Sequence, residues 1–252
     1  MIWVSLAKRA RQRLRGRRVK RSAAFFKCVR NKIGLEIGGP SSIFGDSGIL
    51  PIYRQIKSLD NCVYSADTIW EGHRAPGQTF LFYPGKPLGA NFICEAGNLE
   101  AIPNSRYDFV LASHSLEHSA NPLQVLAECR RVTKPAGAMI LVLPHYRYTF
   151  DHRRPLTSLA HMIEDYKRGI DESDLTHLPE ILDLHDLSRD EPAGSPEQFR
   201  ERCMRNAENR CLHHHVFDEH NGPELVRTAG YCVAQVEFVQ PFHIVILAHV
   251  EG

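Results

Sequence analysis

The segment Tyr107-Asp-Phe-Val-Leu-Ala-Ser-His-Ser-Leu-Glu-His118 decides how the rest of the chain is read. Residues 107–112 form a short, mostly apolar run of strand type that stops at a polar turn, Ser113 to His118. After Asn121-Pro122, the apolar residues Leu123, Val125, Leu126 and Val132 recur at helical spacing over 123–132. Lys134-Pro135-Ala136-Gly137 then breaks the helix before a second apolar run, 138–143. Strand, helix and strand in this order predict two parallel strands joined by a crossover helix. The alternation continues outward. Further strands are expected at 34–37, 56–60 and 92–95 upstream. Downstream, a helix over 222–228 leads to strands at 232–239 and 243–248, joined by Gln240-Pro241 as a terminal hairpin. This pattern predicts one α/β domain with a seven-stranded, mainly parallel sheet and helices on both faces.

Composition agrees with a globular domain: 43% hydrophobic, 24% charged, and no apolar run near the ~20 residues that span a bilayer. The start, Met1-Ile-Trp-Val-Ser-Leu-Ala, is too short and is followed rather than preceded by basic residues, so it does not read as a secretory leader, and the expected location is cytoplasmic. Seven cysteines form no Cys-x-x-Cys pair, which argues against a disulfide framework or a cysteine-type zinc site. The net charge of +2 hides an asymmetry. Residues 1–32 hold 12 Lys/Arg and no acidic residue, leaving 19 basic against 29 acidic residues, or −10, in the remainder. Such an arm can bind an anionic membrane or RNA, although a solvated helix packed through Leu6, Leu14, Val19 and Phe25 is the simpler expectation.

Leu35-Glu36-Ile37-Gly38-Gly39-Pro40-Ser41 follows the first predicted strand and resembles the first motif of class I S-adenosylmethionine-dependent methyltransferases, an acidic residue before a glycine-rich turn. Glu36 and Gly38 match the family's positions, while Pro40 and Ser42 stand where it usually has glycines. Asp60 resembles the acidic residue that holds both ribose hydroxyls, with Asp67 as its competitor. In Glu95-Ala-Gly-Asn-Leu-Glu-Ala-Ile-Pro103, Asn98 replaces the family's adenine-side aspartate. The Leu-Glu-His turn at 116–118, the helix, Lys134-Pro-Ala-Gly137 and the strand ending Leu143-Pro-His145 resemble the later half of small-molecule methyltransferases. The likeness covers roughly 33–145 and 216–248. It implies a Rossmann-like methyltransferase sheet, S-adenosylmethionine as cofactor, and cofactor contacts from Glu36, Gly38, Gly39, Asp60, Asn98 and Ser113.

Residues 146–220 interrupt the alternation and hold eight of the 14 histidines. An excursion at the carboxyl side of a parallel sheet falls where such folds bind ligands, so 146–220 is read as a polar cap that recognises the acceptor. Parts of it resemble an uncharacterised bacterial methyltransferase group associated with surface glycans. The expected activity is methyl transfer to an oxygen or nitrogen of a small molecule, sugar or glycan. A nonenzymatic binding module and an RNA methyltransferase are the alternatives. His114, His118, His145 and His213 are the candidate proton acceptors, since imidazole titrates near neutrality. Arg153, Arg154 and His215 are the candidate acceptor contacts, with Arg210 as a further cation in the same segment. A metal held by His177, Glu180, His213 or His215, with Asp151 or His152, is weighed against a hydrogen-bonded network; lacking a fixed ligand spacing, no metal ligand is assigned. The absence of G-x-G-x-x-G after the first strand disfavours an NAD-dependent oxidoreductase.

Overall fold

The computed structural model describes residues 18–68 and 72–251. Its strands, in chain order, are β1 (Ile33–Ile37), β2 (Ser58–Val63), β3 (Asp67–Thr68), β4 (Gly72–His73), β5 (Gly77–Phe80), β6 (Gly89–Ile93), β7 (Tyr107–Ser113), β8 (Thr133–Pro144), β9 (Tyr231–Val239) and β10 (His243–Val250). Eight of them form one sheet in the order β5-β6-β2-β1-β7-β8-β10-β9, and β3 pairs with β4 alone. The five inner strands from β6 to β8 are parallel, β10 and β5 run opposite to them, and β9, antiparallel to β10, runs in their direction again. The chain winds from β1 outward through β2 to β6, then returns to β7 on the other side of β1. The carboxyl ends of β1 and β7 therefore flank a topological switch point, where open α/β sheets bind ligands.

The sheet is buried on both faces, so alternate residues serve opposite cores. Leu35, Ile37, Val110, Ala112, Met139 and Leu141 pack beneath α2 (Pro122–Val132) and α7 (Asn221–Thr228). Phe109, Leu111, Ile140, Val142 and Leu59 face α1 (Ala23–Val29) and the aromatic group Phe44, Tyr53, Phe80 and Phe82. Helix α2 starts where Asn121 caps the Gln124 amide and Pro122 sits in the first turn, where its missing N–H costs nothing.

Three boundaries differ from the sequence reading. β2 begins at Ser58 and runs to Val63, displacing its carboxyl end three residues past Asp60. β6 ends at Ile93, so Cys94 and Glu95 already belong to the loop above the sheet. Residues 134–137, read as a breaker, form an irregularity inside β8: Tyr107 pairs with Thr133 and Phe109 with Ala138, and the intervening residues bulge outward. The eighth strand, β5, is an antiparallel edge addition that polar Gly77-Gln-Thr does not announce. Between β1 and β2 there are only 3₁₀ turns, because Gly45, Gly48 and Pro51 interrupt any helix there.

Of the basic arm, Val19 and Phe25 are buried as expected, while Leu6 and Leu14 lie outside the described residues. The Lys20 amide donates to Glu237 of β9, tying this end of the arm to the sheet edge. Residues 146–220 contain α3 (Leu159–Arg168), which packs through Met162 on the large cluster beneath α2 and α7, followed by α4 (Leu178–Leu184), α5 (Pro196–Met204) and α6 (Asn206–Asn209) beside a small core of Leu178, Ile181, Ala193, Phe199, Cys203 and Leu212. Among the described residues, no helix is long and apolar enough to cross a membrane.

Candidate active site

A cavity of about 1310 Å³ opens above the carboxyl ends of β1, β2, β6 and β7 and is closed from the other side by residues of 146–220. Ligand pockets commonly run to about 300–1,000 Å³, so the space suits a cofactor with an acceptor beside it. Its floor consists of Gly38 and Ser41 after β1, Val63 and Tyr64 at the end of β2, Cys94 to Gly97 after β6, and Ser113 to Ser119 from the end of β7 onward. Its roof includes Tyr148, Phe150, Glu172, Arg202, Arg210 and His213.

The floor is shaped by one buried carboxylate. Glu36 is fully buried and accepts from the Ser41 amide at 3.1 Å and from the Tyr53 hydroxyl at 2.7 Å, so it bends the turn beneath the cavity. Burial and the Glu36 charge raise the Tyr53 phenol, which therefore stays a donor. Gly39 allows this packing, since a β-carbon there would stand 2.5 Å from the Glu36 carboxylate. Gly38, at φ +70°, lies in the left-handed region and lets the backbone line the cavity. The Ser113 hydroxyl is buried on the wall and has no hydrogen-bond partner among the described residues, as expected of a group that meets a ligand. A glycine-bordered floor with an unmatched hydroxyl fits S-adenosylmethionine.

Two cofactor expectations are displaced. Asp60 does not line the cavity: its carboxylate accepts from the Ala90 amide (2.8 Å), Arg106 (2.7 Å) and the Tyr107 hydroxyl (2.9 Å). The longer β2 puts Tyr64 rather than Asp60 at the strand's carboxyl end. Its competitor Asp67 is exposed and bonded to His73. Asn98 is exposed and accepts from the Glu100 amide, while Glu95 and Gly97 reach the cavity in its stead. Arg210 descends from the roof to pair with Glu95, and its guanidinium lies 5.1 Å from the Tyr64 ring centre.

The histidines divide into three groups. His213 lines the cavity, and its Nδ1–H donates to Asp151 Oδ2 at 2.6 Å, which directs the Nε2 lone pair away from the carboxylate. Asp151 is held from behind by Arg154, fully buried, which also binds Glu180 and the carbonyls of His213 and His214. Burial alone would raise the Asp151 carboxyl, but the charge and hydrogen bond of His213, then Arg154, bring it down to about 2. Burial opposes protonation of His213, yet Asp151 outweighs it and raises that imidazole above its ordinary value. His118 stands edge-on to His213, ring centres 4.6 Å apart, with its Nδ1–H on the Leu212 carbonyl. Burial, then His213, lowers His118 to about 4, so it stays neutral.

The second group is a relay beside β7. His114 Nε2 and His243 Nδ1 are 2.9 Å apart, and His114 Nδ1 is 3.5 Å from buried Glu117. Burial works against the Glu117 charge, but His114 and the neighbouring histidines hold its carboxyl below the usual range. The third group lies off the cavity. His145 is pinned to Glu219 at 2.7 Å, and His215 is fully buried behind the roof. Arg153 points outward to Asp186, and Arg154 is enclosed under His213, so neither lines the cavity. Asp151, Glu117, Arg210 and His243 carry this arrangement. Sequence reading reached Asp151 only as a metal ligand, because its pairing with His213 spans 62 residues.

A family model described as a methyltransferase domain matches residues 74–141, which contain β5 to most of β8. A comparison with curated proteins finds no match. Among solved structures, the chain is similar to a putative S-adenosylmethionine-dependent methyltransferase from Listeria monocytogenes (16% identity, 91% of this chain and 97% of that chain, TM-score 0.49). It is also similar to 1,6-didemethyltoxoflavin-N1-methyltransferase of Burkholderia thailandensis with bound 1,6-didemethyltoxoflavin and S-adenosylhomocysteine (12% identity, 92% and 75%, TM-score 0.47). It further resembles the CurJ carbon methyltransferase (14% identity, 88% of this chain, TM-score 0.44) and spans about half, 49%, of that chain's length. The methyltransferase-domain match thus falls on β5 to most of β8, the part of the sheet that borders the cavity at the switch point.

Proposed function

We propose that the protein transfers a methyl group from S-adenosylmethionine to an oxygen or nitrogen of a small molecule, sugar or glycan, with His213 as the proton acceptor. The observation that carries this reading is the Asp151–His213 pair, 2.6 Å long, aimed into the cavity from the roof. When bound, the cofactor supplies a methyl already activated on a sulfonium. The floor from Gly38, Ser41, Tyr64, Glu95 and Ser113 holds it, and the roof brings the acceptor to the methyl and excludes water. His213 Nε2 receives the proton that the acceptor's O–H or N–H gives up, Asp151 stabilises the resulting imidazolium, and neutral His118 borders the same space. His114, with Glu117 and His243, is a second proton route beside β7. Arg202, Arg210 and Glu172 favour a hydroxyl-rich or anionic acceptor, which agrees with a glycan.

Tritium transfer from labelled cofactor into fractionated cell-envelope and small-molecule extracts identifies the acceptor class. His213→Gln is expected to lower transfer by about 10²–10⁴-fold, the range for removing a general base, while S-adenosylhomocysteine affinity measured by calorimetry is retained. Transfer that survives His213→Gln in a folded protein overturns the assignment. The rate should rise with pH as His213 loses its proton, and Asp151→Asn should move that rise to lower pH. Contact of residues 1–32 with an anionic membrane or RNA is a separate reading, tested by whether their deletion abolishes salt-dependent binding to anionic vesicles or RNA.

A further inference from the structure

Behind the roof, away from the cavity, three histidines and an aspartate converge from three segments distant in sequence. His161 and Asp165 share a face of α3 at i and i+4, His177 precedes α4, and His215 belongs to the extended stretch that also carries His213. One potential donor atom from each of the four lies within 4.8 Å of all the others. His161 Nε2 is 2.9 Å from His177 Nε2 and 3.2 Å from Asp165 Oδ2, and Asp165 Oδ2 is 3.7 Å from His215 Nε2. Four donors around a tetrahedral zinc-class ion, at bonds near 2.0–2.1 Å, stand roughly 3.3 Å apart. The spacing here brackets that value.

Hydrogen bonding alone does not account for the group. Asp165 Oδ2 is buried and, although imidazole nitrogens surround it, no donor is directed at it. His215 is fully buried. Its Nε2–H donates to the Ala120 carbonyl at 3.2 Å, which leaves Nδ1, without a partner among the described residues, as the nitrogen whose lone pair can take an ion. An unmet buried polar group costs about 1–3 kcal/mol, and two in one cluster call for a common partner. Arg154, a buried cation of the same region, is already neutralised by Asp151 and Glu180 and does not fill that role.

We infer that His161, Asp165, His177 and His215 form a binding site for a tetrahedrally coordinated divalent transition-metal ion of the zinc class, which clamps α3, the start of α4 and the 210–216 stretch together. The donor set, three imidazoles and one carboxylate, suits zinc and cobalt rather than magnesium or calcium, which prefer oxygen. A closed four-donor site of this kind is structural. Its chemical consequence is positional: His215 is two residues from His213, and its ring reaches Ala120, just past the Leu-Glu-His turn. The ion would thus hold the proton-accepting histidine at a set height over the floor. A separate trio, Glu117, His118 and His213, borders the cavity and serves as the internal control.

The test uses the untagged full-length chain, expressed with supplemental zinc. Elemental mass spectrometry is expected to find one equivalent of zinc per chain in the wild type and in His118→Gln, and well under a tenth of that in His177→Gln and Asp165→Asn. Because a variant can fail by misfolding, wild-type protein stripped by chelator is titrated with Co²⁺. One equivalent should produce the intense visible bands of tetrahedral cobalt, and hydrogen exchange across 210–216 should slow several-fold as the metal binds. Absence of both bound zinc and a tetrahedral cobalt spectrum overturns the site. So does metal that is retained in His177→Gln and Asp165→Asn but lost in His118→Gln. Neither result depends on the acceptor or on whether methyl transfer occurs.

Discussion

The floor and the roof of the cavity are held by different forces. Floor residues hang from parallel strands whose main-chain ladders run the length of β1, β2 and β7, and whose side chains fill two large apolar clusters. The roof has six residues in its own apolar core and depends instead on charges, chiefly buried Asp151 and Arg154 with half-buried Glu180 and Asp190. Backbone pairing is nearly indifferent to which side chain is present and to pH, whereas a charge network depends on each of its members and on their protonation. Under the proposed function the floor serves the cofactor and the roof the acceptor, and the roof is the more fragile half.

The sharpest test of this contrast is Arg154→Met. Arg154 has no exposed side-chain surface and four hydrogen-bonding partners, so its loss leaves Asp151 buried and unpaired on that side. Breaking a buried pair in this way costs about 3–5 kcal/mol. Hydrogen exchange should accelerate throughout 146–220 with little change in β1, β2 and β7. Equal loss of protection in the sheet would show that floor and roof unfold as one unit.

Asp60→Asn comes next. With its carboxylate joined to Ala90, Arg106 and Tyr107 rather than to the cavity, the substitution should cost about 1–3 kcal/mol of stability by chemical denaturation. Calorimetry on the folded protein should find S-adenosylhomocysteine affinity unchanged; a large loss of affinity would return Asp60 to the ribose.

Acid should separate the halves more gently. The folded Asp151 carboxyl lies at about 2, below the ordinary carboxylate near 3.9, so its contribution is present above about pH 4 and is lost as pH falls toward 2. His213 is shifted the other way: its contribution is complete below about pH 6.5 and fades as pH rises through its raised folded value. The contribution of this pair should thus be greatest between roughly pH 4 and 6.5, read as the difference in roof protection between wild type and His213→Gln so that the opposite trend of buried His177, His214 and His215 cancels; no difference over pH 2–8 would refute the role given to it. The smallest effect is expected of Arg153→Ala. Its side chain is 53% exposed and 3.5 Å from Asp186, and melting temperature and methyl transfer should both match the wild type. Lost transfer would restore Arg153 as an acceptor contact.

Much of the floor could be read from the chain because its determinants are local. Apolar runs and a glycine-rich turn mark strands and their connections wherever they occur, and Glu36, Gly38 and the Leu-Glu-His turn lie within a few residues of the strands that present them. Errors arose where a boundary of two or three residues mattered, as at Asp60, because a strand's end is set by its neighbours' ladders and not by its own composition. The roof showed its composition but not its wiring. The sequence by itself determined an α/β sheet, a glycine-rich turn after β1 and a histidine-rich polar insertion, all written in short-range pattern. Only the tertiary structure decided that His213 meets Asp151 across 62 positions, that Arg154 lies beneath them while Arg153 faces solvent, and that His161, Asp165, His177 and His215 share one point. Such pairings depend on how separate segments pack against one another, and spacing along the chain carries no record of that.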